Sequence, residues 1–184
     1  ETTRTAISNG LLAFAQNPDQ LERLRADPEG LMASAVQEFI RYSTPVLHMR
    51  RTATADTMLG ETPINAGDWL VLWYASADYD EVAFPDPLRF DPDRYNSVDD
   101  DHKKLMDRAW TPFGRGPRRC IGFALAQMEV TLILARMAQR LDLELLDRTT
   151  PKPYGLIVNR PTGGVPVRLT NTATDAAVDS SAAG

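Results

Sequence analysis

The stretch that most constrains what this chain can fold into is Trp110-Thr-Pro-Phe-Gly-Arg-Gly-Pro-Arg-Arg-Cys-Ile-Gly-Phe-Ala-Leu-Ala126. Gly114, Gly116, Pro112 and Pro117 rule out regular structure ahead of Cys120, the only cysteine in the chain. Directly after it, Ile121, Leu125, Met128, Leu132 and Ala135 repeat with helical spacing, which predicts one helix running to about Arg140. Cys120 therefore sits on a constrained loop at a helix N-terminus, beside Arg115, Arg118 and Arg119. The helix dipole, free backbone N–H groups and nearby cations all favour a thiolate there. A single cysteine can equally be a small apolar core residue. Local chemistry alone leaves both readings standing.

The rest of the chain predicts a mainly α protein with small β-sheets. Ala6, Ile7, Leu11, Leu12, Phe14 and Ala15 form a helical stripe that closes at Asn17-Pro18. The stripe is already running at Glu1, with no N-cap before it, so the expected helix is one whose first part lies upstream. Pro18 to Ala26 reads as a short helix, Asp27 to Gly30 as a turn, and Leu31 to Tyr42 as an amphipathic helix. On that last helix Glu38 and Arg41 share a face and can pair. Pro45 forces the preceding residue out of helix, and strands are expected around Arg51 to Thr54 and over Trp69 to Tyr74. Residues 83 to 112 are rich in Pro and Asp, with a polar tip at Asp99 to Lys104. Leu141, Leu143 and Leu145 alternate as a strand does, and Leu156 to Val158 with Val165 to Leu169 read as a hairpin. Residues 1–170 are expected to form part of a single domain, with 171–184 a disordered tail.

Phe113-x-x-Gly116-x-Arg118-x-Cys120-x-Gly122, followed by Leu125-Ala126, resembles the haem-binding loop of the cytochrome P-450 family of haem-thiolate monooxygenases. The resemblance implies haem b as cofactor and Cys120 as axial thiolate to its iron. It also implies Arg118 as a propionate partner, with Phe113, Gly116, Gly122 and Ala126 packed about the macrocycle. Three further matches lie elsewhere in the chain. Glu1-Thr2 is similar to the acid–alcohol pair of the family's long central helix, so Thr2 would hydrogen-bond dioxygen and Glu1 would relay protons. Glu38-x-x-Arg41 matches the family's Glu-x-x-Arg. Pro87 to Phe90 and Pro92 to Arg94 match the patterns that bring Arg94 to it, implying a buried Glu38, Arg41 and Arg94 triad. Arg51, in an Arg-x-Ala context, would be a second propionate partner, with Arg50 adjacent and the choice between them open by one position. Val46, Leu47, Met49 and Ile157 are the residues expected to line the substrate pocket.

The Ala66-Gly67-Asp68 turn and the Arg41 to Val46 run are similar to the soluble bacterial branch of that family. Many relatives carry Ala-Asn-Arg-Asp where this chain has Ala77-Asp-Tyr-Asp80, a departure expected to change packing at Tyr79. The fold implied is the C-terminal half of the cytochrome P-450 fold, cut within the central helix. The function implied is insertion of one oxygen atom from O2 into an apolar organic substrate. Electrons would come from a separate ferredoxin or flavodoxin with its reductase, docked on a basic face around Arg115 and Arg119. The alternative is an incomplete, non-catalytic fragment that binds haem weakly or not at all.

Composition narrows the classes. With 184 residues, 43% hydrophobic and a net charge of −5, the chain has ordinary globular make-up, and nucleic acid is not an expected partner. No apolar run approaches the roughly 18–20 residues that span a membrane, and one cysteine precludes an internal disulfide; both suit a cytoplasmic setting. His48 and His102 with one cysteine do not suggest a zinc cluster and read as structural or exposed.

Overall fold

The computed structural model describes residues 1–147, 152–155 and 157–171. Leu156 and residues 172–184, which bear on the expected hairpin and tail, lie outside the described residues. Three helices open the chain: α1 (Thr2–Gln16), α2 (Pro18–Ala26) and α3 (Pro28–Ser43). The expected turn at Asp27 to Gly30 is instead the start of α3. Asp27 is its N-cap, its carboxylate accepting from the Gly30 N–H at 2.9 Å, and Pro28 occupies the first turn, where its missing N–H costs nothing.

Where α1 crosses α3, Gly10 permits the approach. A Cβ at that position would lie 1.9 Å from the Phe39 ring. The core grows from that crossing: Phe14, Leu24, Phe39, Phe90, Val130 and Leu134 are all buried, and the Phe14 and Phe90 rings meet edge to face at 5.0 Å.

Among the described residues, four antiparallel two-stranded sheets follow these three helices. They are β1 (His48–Thr52) with β4 (Trp69–Trp73), β2 (Thr57–Leu59) with β3 (Thr62–Ile64), β5 (Leu141–Leu145) with β8 (Val167–Asn171), and β6 (Pro153–Tyr154) with β7 (Arg160–Pro161). Among the described residues, Ile157 and Val158 do not pair with 165–169 as a hairpin would. Val158 bridges to Val46, and Val167 to Asn171 pair with β5, so Asn171 closes a strand opposite Leu141. Tyr74, expected at the end of a strand, opens the short helix α4 (Tyr74–Asp78).

The polar run at Asp99 to Lys104 is not a tip. Asp99 accepts from the His102 N–H at 2.8 Å and caps α5 (Asp100–Ala109), whose first turn carries two further aspartates at the positive end of the dipole. Met106 anchors α5 in a second core with Ala83, Phe84 and Tyr95, and the His102 ring lies 3.0 Å from the Ala83 carbonyl oxygen.

The last helix, α6 (Phe123–Arg140), buries Val130, Leu134, Met137 and Ala138. The stripe that announced it faces outward: Ile121, just before α6, is fully exposed, and Leu125, Met128 and Leu132 are more than half exposed. α6 thus has two apolar faces, and only one of them meets the described core.

Candidate functional site

Cys120 is placed by a loop that closes on itself. The Cys120 N–H donates to the Phe113 carbonyl at 2.8 Å, and a single 3₁₀ turn, Gly116–Arg118, fills the interval. Gly114 and Gly116 both take φ of +67°, a left-handed conformation that L side chains adopt at a cost. The sulfur emerges exposed, two residues before the first turn of α6. A Cβ at Gly122 would sit 4.0 Å from it, so glycine there keeps one face of the sulfur uncovered.

The loop forms one wall of a cavity of about 840 Å³. Thr2 and Ala6 of α1 line it, as do Val46 and Met49 on the segment leaving α3, and Gly122, Ala126 and Glu129 on α6. Phe113, Arg118 and Cys120 also line it, with both Arg50 and Arg51. The neighbouring arginines differ in what holds them. The Arg50 guanidinium lies 4.4 Å from the centre of the Trp69 ring on the outer face of the β1–β4 sheet, while Arg51 hydrogen-bonds only the Arg50 carbonyl, at 3.0 Å.

Four of the residues expected at the haem or the substrate lie outside the lining. Gly116 supplies the loop's turn. Leu47 donates its N–H to the Ile157 carbonyl at 2.8 Å, and neither residue is among the lining residues. Glu1 is directed away, with its carboxylate 2.7 Å from Arg4 and 3.8 Å from Arg160. The hydrogen bond from Arg4 holds its pKa below the usual carboxylate value, which suits an anion and not a proton donor. Glu1 is not among the residues that line the cavity, whereas its neighbour Thr2 is.

Sequence reasoning overlooked Tyr74, Gly114 and Glu129, which also line the cavity. Glu129 was within reach, since Gly122, Ala126 and Glu129 follow at i, i+4 and i+7 on one helical face. Tyr74 arrives through a strand–helix junction that carries no local signal.

Glu38, Arg41 and Arg94 meet away from the cavity. Arg41 donates to both Glu38 oxygens at 2.7 and 2.9 Å, Arg94 Nε approaches both at 3.1 and 3.2 Å, and the Asp91 N–H adds a bond at 3.1 Å. Glu38 and Arg41 are fully buried. The remaining guanidinium N–H groups bind carbonyls of Asp78, Pro85, Asp86, Pro87 and Arg89, which fixes the path of the meander between α4 and α5. Tyr79 packs here as well; its hydroxyl donates to the Tyr42 carbonyl at 2.7 Å.

A profile of the family described as Cytochrome P-450 matches residues 1–164. The chain belongs to the cytochrome P-450 family. It is 40% identical over 140 residues to linalool 8-monooxygenase of Pseudomonas putida, covering 76% of this chain and 32% of that protein. It is 36% identical over 148 residues to steroid C26-monooxygenase of Mycolicibacterium smegmatis, covering 80% of this chain and 34% of that protein. Among solved structures, a cytochrome P-450 from Novosphingobium aromaticivorans superposes with a TM-score of 0.78 at 36% identity, covering 92% of this chain and 40% of that one. The chain thus spans about a third of the length of the curated relatives it matches. As a portion of the cytochrome P-450 fold, it is helix-rich with small antiparallel sheets. Among the described residues no helix is long and apolar enough to cross a membrane.

Proposed function

We propose that this chain supplies the thiolate-side haem pocket of a monooxygenase that hydroxylates an apolar organic substrate. The observation that carries the reading is the convergence of Cys120, Arg118 and Arg51 on one cavity that Thr2, Val46 and Met49 close from other sides. The donor set fits haem b. One thiol is a single soft ligand, so the remaining coordination must come with the metal, as it does in a porphyrin. Arg118 and Arg51 provide fixed positive charge for two propionates, while Arg50 is occupied on Trp69. Haem, when bound, supplies the oxygen-activating chemistry.

The chain's own residues do the rest. Cys120 holds sulfur at the loop apex, bare of side-chain cover at Gly122. The Thr2 hydroxyl can hold or pass a proton at its Oγ1 inside the cavity, whereas Glu1 remains an anion paired with Arg4. Val46, Met49 and Ala6 present apolar surface to a substrate and exclude water. The names of the relatives fit that class: linalool is a terpene alcohol, and another relative is the methyl-branched lipid omega-hydroxylase of Mycobacterium bovis, 38% identical over 141 residues. O2 and a separate electron donor belong to this reading. Arg115 and Arg119 are exposed beside the cysteine loop, where an acidic ferredoxin or flavodoxin could dock.

The exposed outer face of α6 favours a second reading, that this polypeptide alone does not retain haem. Titration of purified protein with haemin separates the two. Stoichiometric binding that Arg118→Ala and Arg51→Ala both weaken supports a competent pocket. Binding that is absent, or indifferent to both substitutions, supports the second reading.

A further inference from the structure

Asp78, at the end of α4, is an acidic residue that the proposed haem chemistry does not use. Its side chain is fully buried, and its Oδ1 has no hydrogen-bond partner. Its Oδ2 lies 3.3 Å from the Thr44 hydroxyl, the residue that ends α3 in a left-handed conformation with φ of +36°. That hydroxyl has one proton, and the Arg41 carbonyl lies closer to it, at 2.9 Å. If the Thr44 proton serves Arg41, the contact with Asp78 is a hydrogen bond only when the carboxyl carries a proton and donates it.

The neighbouring Arg41 guanidinium bonds the backbone carbonyl of Asp78, not its carboxylate. Arg41 spends its donors on Glu38 and on the carbonyls of Pro87 and of Asp78 itself. The other charged and titratable groups facing the site are Glu38 on α3, whose charge opposes ionisation, and Tyr79 and Tyr95 from the segments packed against it. Burial pushes the Asp78 pKa up to about 8, against a weaker lowering by Arg41 and Thr44.

We propose that Asp78 is a neutral carboxylic acid in the folded protein, and that its O–H···Thr44 bond is a proton-dependent latch on the corner from which the cavity wall departs. Thr44 is followed directly by Pro45 and Val46, both on that wall. Ionisation would leave a buried carboxylate facing an acceptor, releasing the corner and with it the first cavity-lining residues after α3.

Linkage fixes the sign. A carboxyl whose pKa is higher folded than unfolded stabilises the fold most below its unfolded value, near 4. That stability is lost as pH rises towards the folded value near 8. The test compares unfolding equilibria of the wild-type chain and Asp78→Asn in denaturant across pH 4.5 to 7.5. Asparagine keeps the shape and can still donate to Thr44. The ratio of the two unfolding constants should change by about tenfold per pH unit, the wild type losing stability as pH rises. Parallel profiles, or a wild type that gains relative to the variant as pH rises, would overturn the proposal. A readout on the wild type alone covers a variant that fails to fold. With carboxyl-labelled aspartate, infrared spectra at pH 6.5 should show a carboxylic-acid band that disappears above pH 8; carboxylate bands alone at pH 6.5 would refute it.

Discussion

Around Glu38, two guanidiniums and a backbone N–H converge on one carboxylate from which water is excluded; Cys120 stands exposed on a cavity wall that Arg118 also lines, while Arg115 bonds the Asp107 carbonyl and Arg119 lies over the Phe123 ring. Both centres concentrate charge on short sequence motifs, yet they are completed differently. At Glu38 the partners all lie within the chain, and the two arginines then tie down four carbonyls of the meander and that of Asp78 at the end of α4. At Cys120 the backbone is fixed, with a closed loop and two left-handed glycines, while the Cys120 and Arg118 side chains line the cavity. The first arrangement stabilises a fold; the second presents a ligand. The same contrast divides α6, whose inner face carries the core while its outer apolar face is uncovered.

The contrast can be broken most severely at Glu38. Glu38→Ala would strand two buried guanidiniums and should cost roughly 3–5 kcal/mol, read as a large drop in the denaturation midpoint or as failure to accumulate folded protein. Leu134→Ala on the inner face of α6 should cost about 2–5 kcal/mol, whereas Leu125→Ala on the outer face should shift stability by less than about 0.5 kcal/mol. Equal effects in that pair would show that the two faces are not distinct. Gly10→Ala should destabilise by about 1–3 kcal/mol, since its methyl group must displace the Phe39 ring. Asp99→Ala removes the cap of α5 and should cost about 1 kcal/mol, measurable by thermal unfolding. Smallest of all on stability should be Cys120→Ser, whose side chain contributes to no core; a large loss there would argue that the thiol is structural.

Much of this was legible in the sequence wherever a local rule has a local cause. The helices over 2–16, 18–26 and 123–140 followed from apolar spacing and proline positions, and the resemblance of residues 113–126 pointed to the loop. The misreadings share a different origin. Asp27-Pro-Glu-Gly and Asp99-Asp-Asp-His look like turns because their composition is polar, but each is an N-cap and first helical turn, and the cap bond decides it. The spacing gave the helix but not which side of α6 is buried, because the helix is apolar on two sides. Asp78 stands where many relatives carry Asn, but its environment could not be read locally, since it depends on Thr44 and Arg41, brought to it from 34 and 37 residues away.

The central claim is that Cys120 is the protein ligand to haem iron, and the most direct test is the absorption spectrum of the haem-loaded, reduced protein under carbon monoxide. The account predicts the red-shifted Soret band of a thiolate-ligated haem in the wild type and its loss in Cys120→Ser, with the fold retained by circular dichroism. A band of the imidazole-ligated type in the wild type, or a thiolate-type band that survives Cys120→Ser, would contradict it.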